Sequence, residues 1–423
     1  MASVQSNITL RVAIIIIAGC LVSLISMGVR SSFGLFMSGA PETIGVSSGD
    51  FGLALGWQNL LWGLIGVFAA SLVDRFGPMW VLMAGSVMYG SGIIGMLIFP
   101  GTMLTYIFMG GLVGGGVAAT GFSIVAMSFS KLVSPEQRSW ALGLGTASAS
   151  CGQFIIGLPA GFMLQQIGWD AALYVLAGVT FLIIPLSFVF MGIKGVAADK
   201  TANASSGSAA EVWAEIQLAF RHRGYVLLFF GFFVCGFHIS FIYIYLPKFL
   251  IDQGVQPQWL NGFGGIGAVA LGLVGLFNVV GAYLSGLFGK KGSKKYGLAF
   301  IYLGRSVAMA LFIILPITPL STIIFAAVMG LLWLSTVPLT QGIVVQMFGI
   351  RYMTTLFAIV FVSHQVGGFI ATFMARWIEN ATGELTWMWI AAIVMGGVAA
   401  VIHWPIDDRV VERQPESPQP TTA

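Results

Sequence analysis

Residues 12–38 read VAIIIIAGCLVSLISMGVRSSFGLFMS, twenty-seven residues with a single charge, Arg30. About 20 apolar residues cross a ~30 Å hydrocarbon core, so this stretch is long enough to span a membrane and too long for a signal-peptide core. Composition extends that reading to the whole chain. Its 423 residues are 57% hydrophobic and only 8% charged, where a soluble domain carries about 25% charge. Such a chain cannot cover a water-facing surface. A soluble enzyme, a nucleic-acid binder and a disordered protein are excluded together, and no nucleic-acid partner is expected despite the net charge of +4. The expectation is an all-α polytopic membrane protein in contact with lipid, because hydrocarbon offers no partner to an unpaired backbone amide.

Cutting the chain at its polar and Pro/Gly breaks gives twelve spans. The first six are 12–38, 51–73, 78–98, 102–130, 139–164 and 170–193. The second six are 225–249, 260–288, 295–315, 320–347, 352–377 and 385–403. With both termini inside, 15 of the 19 basic residues fall on one side, among them Arg11, Arg75, Arg138, Lys290, Lys291, Lys294, Lys295 and Arg351. The other side holds Lys248 and Arg376, and Arg30 and Arg305 lie within spans. That asymmetry predicts both termini in the cytoplasm.

The division expected is a six-helix bundle over 1–193, a linker over 194–224, a second bundle over 225–404 and a cytoplasmic tail over 405–423. The linker opens with KGVAADKTANASSGSAA (194–210), small and polar, and continues as EVWAEIQLAFRHR (211–223). There Trp213, Ile216 and Phe220 recur at helical spacing, which fits an amphipathic helix on the membrane surface as well as a plain helical linker. The halves echo one another. LVDRFGPM (72–79) follows span two and LSGLFGKKGSKK (284–295) follows span eight, while spans five and eleven carry Gln153 and Gln365 at nearly the same offset. Such internal symmetry marks transporters that rock two bundles about a midplane site.

These features resemble the major facilitator superfamily over essentially the whole chain. In its span-two turn, G-x-x-x-D-R-x-G-R-[RK], Asp74, Arg75 and Gly77 match, while Ser71 or a neighbour and Pro78–Met79 stand for the rest. SMGVRSSFGLF (26–36), GFHISFIYIYLP (236–247) and GLLWLSTVPLT (330–340) are similar to the bacterial monocarboxylate and oxalate-type carriers. The resemblance implies a monomeric secondary transporter of a bacterial inner membrane, with Asp74 and Arg75 as gating residues. It places Arg30 where those carriers have a Lys that handles substrate and proton. Their span-eight Asp and Arg have no counterpart in LFNVVGAYLSG (276–286), which offers Asn278.

The residues themselves point to an anion. All fifteen acidic residues fall in loops, tails or span ends, yet Arg30 and Arg305 lie inside spans, where a charge costs at least ~2.5–3.5 kcal/mol. An intramembrane cation without a protein counter-ion suggests that the substrate supplies it. Arg30 is level with Gln58 and Asn59, one pocket at one depth; snorkelling to headgroups is its plainer alternative. Arg305 suits either substrate contact or a structural bond to a carbonyl or to Asn278. His238 and His364 are the internal groups suited to carrying a proton, with helix packing the bland reading; Tyr245 shares the His238 face and Gln365 adjoins His364. In span ten Trp333, Thr336 and Thr340 share a face beside Pro338, a candidate gating kink.

Other signals carry less. GFGGIG (262–267) follows no strand and opens a span, so its glycines read as helix-packing residues. No G-x-x-x-x-G-K-[ST] occurs, so ATP is not the expected energy source. Cys20, Cys151 and Cys235 have no metal or disulfide spacing, and no cofactor or metal is expected. The reading is a carrier of a small organic anion, with protons as a candidate partner. An exporter of amphipathic drugs is the rival within transport, and a polytopic membrane enzyme is the rival outside it.

Overall fold

The computed structural model describes residues 10–133, 135–193, 209–349 and 352–411, and at a few positions within them only the backbone. The side chain of Asp74, residues 194–208 and the tail beyond 411 lie outside the described residues.

A helix stands at each expected span. In chain order they are α1 (Leu10–Phe36), α2 (Ser48–Phe76), α3 (Pro78–Ile98), α4 (Thr102–Thr120), α5 (Phe122–Leu132), α6 (Pro135–Ile167) and α7 (Trp169–Phe190). There follow α8 (Ala209–Arg221), α9 (Arg223–Asp252), α10 (Gly265–Lys291), α11 (Lys294–Ile314), α12 (Pro319–Leu332), α13 (Thr336–Phe348), α14 (Met353–Thr382) and α15 (Thr386–His403). Among the described residues eleven segments are long and apolar enough to cross a membrane; α2, at 29 residues, has the length to be the twelfth. No strand occurs among the described residues.

Local chemistry sets the helix ends. Ser47 caps α2 by accepting from the Asp50 amide at 3.0 Å. Gly77, at φ 83°, stops α2 and lets Pro78 begin α3 at once, a left-handed turn that a side chain would strain. Thr318 and Ser321 form a capping box at α12 with Pro319 in its first turn. The linker helix appears as α8, with Trp213 and Phe220 exposed and the Phe220 ring 5.5 Å edge-on from Tyr225.

Matching pairs hold the two bundles. In the first, α1 lies on α6, where a Cβ on Gly28 would stand 2.6 Å from the Gly152 carbonyl oxygen. In the second, α9 lies on α14, with Gly236 against the His364 carbonyl and Gly367 against that of Phe233. The Gln pair noted in the sequence obeys the same symmetry across the interface. Gln153 of α6 packs on Gly275 of α10, and Gln365 of α14 packs on Gly63 of α2.

Span ten departs from a continuous helix. It stops at Leu332 and resumes at Thr336, upstream of Pro338, which is the third residue of α13. Near a helix start the missing proline N–H breaks no bond; the break itself is held by side chains from spans eight and nine. Arg305 of α11, 0% exposed, donates to the Leu332 carbonyl from Nε at 3.1 Å and Nη2 at 2.7 Å, and from Nη2 to that of Trp333. Asn278 accepts from the Leu334 amide at 2.9 Å, and Ser285 donates to the Ser335 carbonyl. A fixed cation thus sits at the negative end of α12 and pairs carbonyls that lipid would leave bare. Span four is also interrupted, by a π-helical turn over Tyr106–Leu112 and a stop at Gly121.

The bundles meet along a stripe of α2. Gly49, Gly52, Gly56, Asn59 and Gly63 recur at alternating spacings of three and four. Gly49 abuts Arg376, Gly52 the Tyr245 hydroxyl, Gly56 Thr372 and Gly63 Gln365. Small residues permit this approach. One step further, at Gly66, nothing lies within 4 Å of a Cβ. The α2 face is therefore closed against the second bundle on the side away from the basic loops and parts from it toward them.

A Cβ at Gly56 would overlap the Thr372 hydroxyl, whereas one at Gly66 meets open space. Gly56→Val should widen the separation of spin labels at the exposed Thr43 and Glu384, and Gly66→Val should leave it unchanged. Replacing Arg305 by Gln should lower the thermal stability of the solubilised protein by about 2–4 kcal/mol, since buried carbonyls lose a charged donor. Arg305→Lys should recover only part of it, because an ammonium cannot fork between two carbonyls.

Candidate functional site

Arg30 lies near the end of α1, 8% exposed, at the junction of the bundles. Its Nη2 donates to Asn59 Oδ1, and Asn59 Nδ2 donates in turn to Ser240 Oγ of the opposite bundle at 3.3 Å. The Tyr243 hydroxyl donates to the Arg30 carbonyl oxygen. The guanidinium carbon stands 4.7 Å from the Trp62 ring centre and 4.9 Å from that of Tyr243, an aromatic clamp worth about 0.5–2 kcal/mol per ring. Nε has no hydrogen-bond partner. The guanidinium is thus packed within the bundle interface. A rigid fork of donors is held between neutral groups of both bundles, a geometry suited to a carboxylate.

Ser240, Tyr243 and Trp62 adjoin Arg30 and Asn59 and are not among the residues the sequence singles out. The signal was there in helical register: Trp62 follows Asn59 by three, and Tyr243 follows Ser240 by three. Aromatic residues are too common in apolar spans for that spacing alone to single them out. Gln58 is buried beside Asn59 with its Nε2 unpartnered, on a stretch of α2 against which Gly114 of α4 packs.

A second polar cluster lies within the C-terminal bundle. His364 Nδ1 is 3.1 Å from Gln365 Oε1, and its ring stacks on Phe361 at 5.4 Å. The Cys235 thiol lies within reach of His364, 3.2 Å from Thr336 Oγ1 and 3.6 Å from Arg305 Nη1. Gln365 carries this cluster to the interface through Gly63, and Trp62 meets Phe361 edge-on at 5.4 Å. Its Nε2 is unpartnered.

The remaining candidates are placed apart from Arg30. His238 Nε2 lies 2.8 Å from the Ala392 carbonyl oxygen of α15, with the ring 6.5 Å from Tyr302. The face it was expected to share with Tyr245 divides, since the Tyr245 hydroxyl donates to the Thr372 carbonyl at 3.2 Å and abuts Gly52. Arg305 and Trp333 belong to the span-ten break, with Pro338 just beyond it. Thr340 is buried with Oγ1 unpartnered. Arg75 is exposed and lies 5.2 Å from the Phe76 ring.

Comparison with known proteins agrees with this architecture. The profile of the Major Facilitator Superfamily matches residues 19–372. An uncharacterized MFS-type transporter of Bacillus subtilis (strain 168), YcxA, is 21% identical over 383 residues, which cover 88% of this chain and 90% of that protein. The crystal structure of a D-xylose-proton symporter superposes with a TM-score of 0.69 over 95% of this chain and 98% of its own, at 15% identity, a likeness of fold. Twelve spans in two matched bundles, closed together on one side around a buried polar site, are the frame of a carrier that binds and releases without chemistry. The chain belongs to the Major Facilitator Superfamily, a multi-pass membrane transporter and not an enzyme.

Proposed function

We propose that the protein is a secondary carrier of a small organic anion, a monocarboxylate by preference, working by alternating access in a bacterial inner membrane. One observation carries this reading. The Arg30 guanidinium is buried at the bundle junction, its contacts are the neutral Asn59, Trp62 and Tyr243, and its Nε is free. A cation so placed is stabilised by an incoming anion more than by anything around it. The closure of the α2 stripe on one side and its parting at Gly66 fit a state open toward the basic, cytoplasmic loops.

The rest of the machinery follows within the same proposal. Residues 1–193 and 225–404 are the rocking bundles, and the 194–224 linker joins them with α8 on the membrane surface. Asp74 and Arg75 act as the gate on the cytoplasmic side. Arg305 serves the fold rather than the substrate, since its donors are engaged by the Leu332 and Trp333 carbonyls. Of the two histidines, His364 borders the interface through Gln365, while His238 is tied to Ala392; a coupling proton carried by a histidine is therefore assigned to His364.

Losing a charge-assisted contact in a water-poor site costs about 1.5–3 kcal/mol, roughly ten- to hundredfold in affinity. Arg30→Gln should weaken carboxylate binding by that factor, read as loss of ligand-induced thermal stabilisation, and Arg30→Lys should keep part of it. Near-normal carboxylate binding in Arg30→Gln would refute the anion site. For the histidines, His364→Gln should uncouple uptake from the pH gradient with exchange intact, while His238→Gln should lower stability without altering coupling. Unchanged pH-driven uptake in the first variant would remove it from the mechanism.

A further inference from the structure

At the side away from the basic loops a group of charges joins the two bundles. Asp50, in the first turn of α2, accepts from Ser47 Oγ at 2.7 Å and from the Tyr106 hydroxyl of α4 at 2.7 Å, both in its own bundle. Across the interface it pairs with Arg376 Nη2 of α14 at 2.8 Å. One turn along α14, Glu379 pairs with Lys248 of α9 at 2.8 Å, and Lys248 also holds Asp252 at 2.6 Å. The network contains three carboxylates and two cations, one negative charge in excess. Both central partners keep spare capacity: Arg376 Nε and Glu379 Oε2 are buried without a partner.

The geometry points to Asp50 as a proton-binding latch between the bundles. With Asp50 ionised, Arg376 bridges α2 and α14 and this side is shut. A proton arriving on the Asp50 carboxylate removes the charge that holds Arg376, while the Ser47 and Tyr106 hydroxyls remain to solvate the neutral acid. Arg376 then turns to the vacant oxygen of Glu379, three residues along its own helix and on the same face. The cross-bundle link becomes one internal to α14, the excess negative charge is gone, and no cation is left unpaired. The proton stays on Asp50 until the bundles close again and Arg376 returns. The charged and titratable groups facing this exchange are Arg376 and Glu379 from α14, Tyr106 from α4, and Lys248, Asp252 and Tyr245 from α9. The glycines beside the latch allow the movement, since Gly49 packs directly on the Arg376 stem and Gly52 on the Tyr245 hydroxyl.

The sign of the pH effect follows. The closed form requires the ionised carboxylate, so acidification favours opening on this side. The proposal makes no use of Arg30 or of any substrate, so it stands or falls separately from the anion reading.

The test is the distance between spin labels at Thr43 and Glu384 in the full chain in detergent or lipid, with Cys20 and Cys151 replaced by Ser and the fully buried Cys235 retained. Between about pH 8 and about pH 3, a range that reaches below the ordinary aspartate value of ~3.9, the long-distance population should grow in the parent protein. Asp50→Asn should show that population already at pH 8, raised on the order of tenfold, with little further response to pH. Exchanging the charges, Asp50→Arg with Arg376→Asp, should restore the short distance by re-forming the cross-bundle pair in reverse, and a thermal melt of Asp50→Asn like that of the parent shows that the single variant is folded. Glu379→Gln, which removes the second partner for Arg376, should shift the opening to lower pH. A parent distance that does not respond to pH, or an Asp50→Asn variant that stays closed and keeps the parental response, would overturn the latch.

Discussion

Hydrocarbon supplies no hydrogen-bond partner, and that constraint organises everything else in this protein. Wherever the backbone departs from helix inside the membrane, a side chain has to replace the missing partner. The break in span ten is the clearest case. Its carbonyls and amide are met by Arg305, Asn278 and Ser285 from two neighbouring helices. Asn278 also donates to Ser150 of α6 in the other bundle at 2.7 Å, so the same residue that completes a broken helix ties the two halves together.

The second constraint is distance. Hydrogen bonds and ion pairs between bundles form only if helices approach closely, and the α2 stripe of small residues permits that approach. Within it Asn59 takes the place of a glycine between Gly56 and Gly63, and there it links Arg30 to Ser240. Asp50 stands at the end of the same stripe and reaches Arg376. Site and latch are thus two depths of one interface, and an opening motion that separates α2 from α14 changes both at once.

Two arginines of equal cost to the membrane have different surroundings. Arg305 is neutralised in place by helix-terminal carbonyls, a cation at a negative dipole end. Arg30 has aromatic faces and an amide around it and a donor still open. The first has its donors met by carbonyls; the second keeps Nε without a partner. Burial alone does not separate them, since both are at most 8% exposed. Partner chemistry does.

The sequence by itself determined the membrane class, the placement of each span, the basic face and the internal symmetry. These depend on composition, on apolar run length and on charge position, all of which are local. Even the equivalence of Gln153 and Gln365 was visible as an offset, and each proves to lie against a glycine of the facing bundle. Tertiary structure alone decided which polar groups meet. His238 and Tyr245 sit seven residues apart on one helix, yet their side chains end at Ala392 and Thr372 on different neighbours. Asp50 read as a span-end carboxylate until α14 brought Arg376 to it. The break of span ten falls three residues before Pro338 begins to count, because the bonds that hold it come from α10 and α11. A linear sequence records spacing along a helix, while the partner of a buried charge is set by which helix packs beside it, and that is a property of the assembled interface.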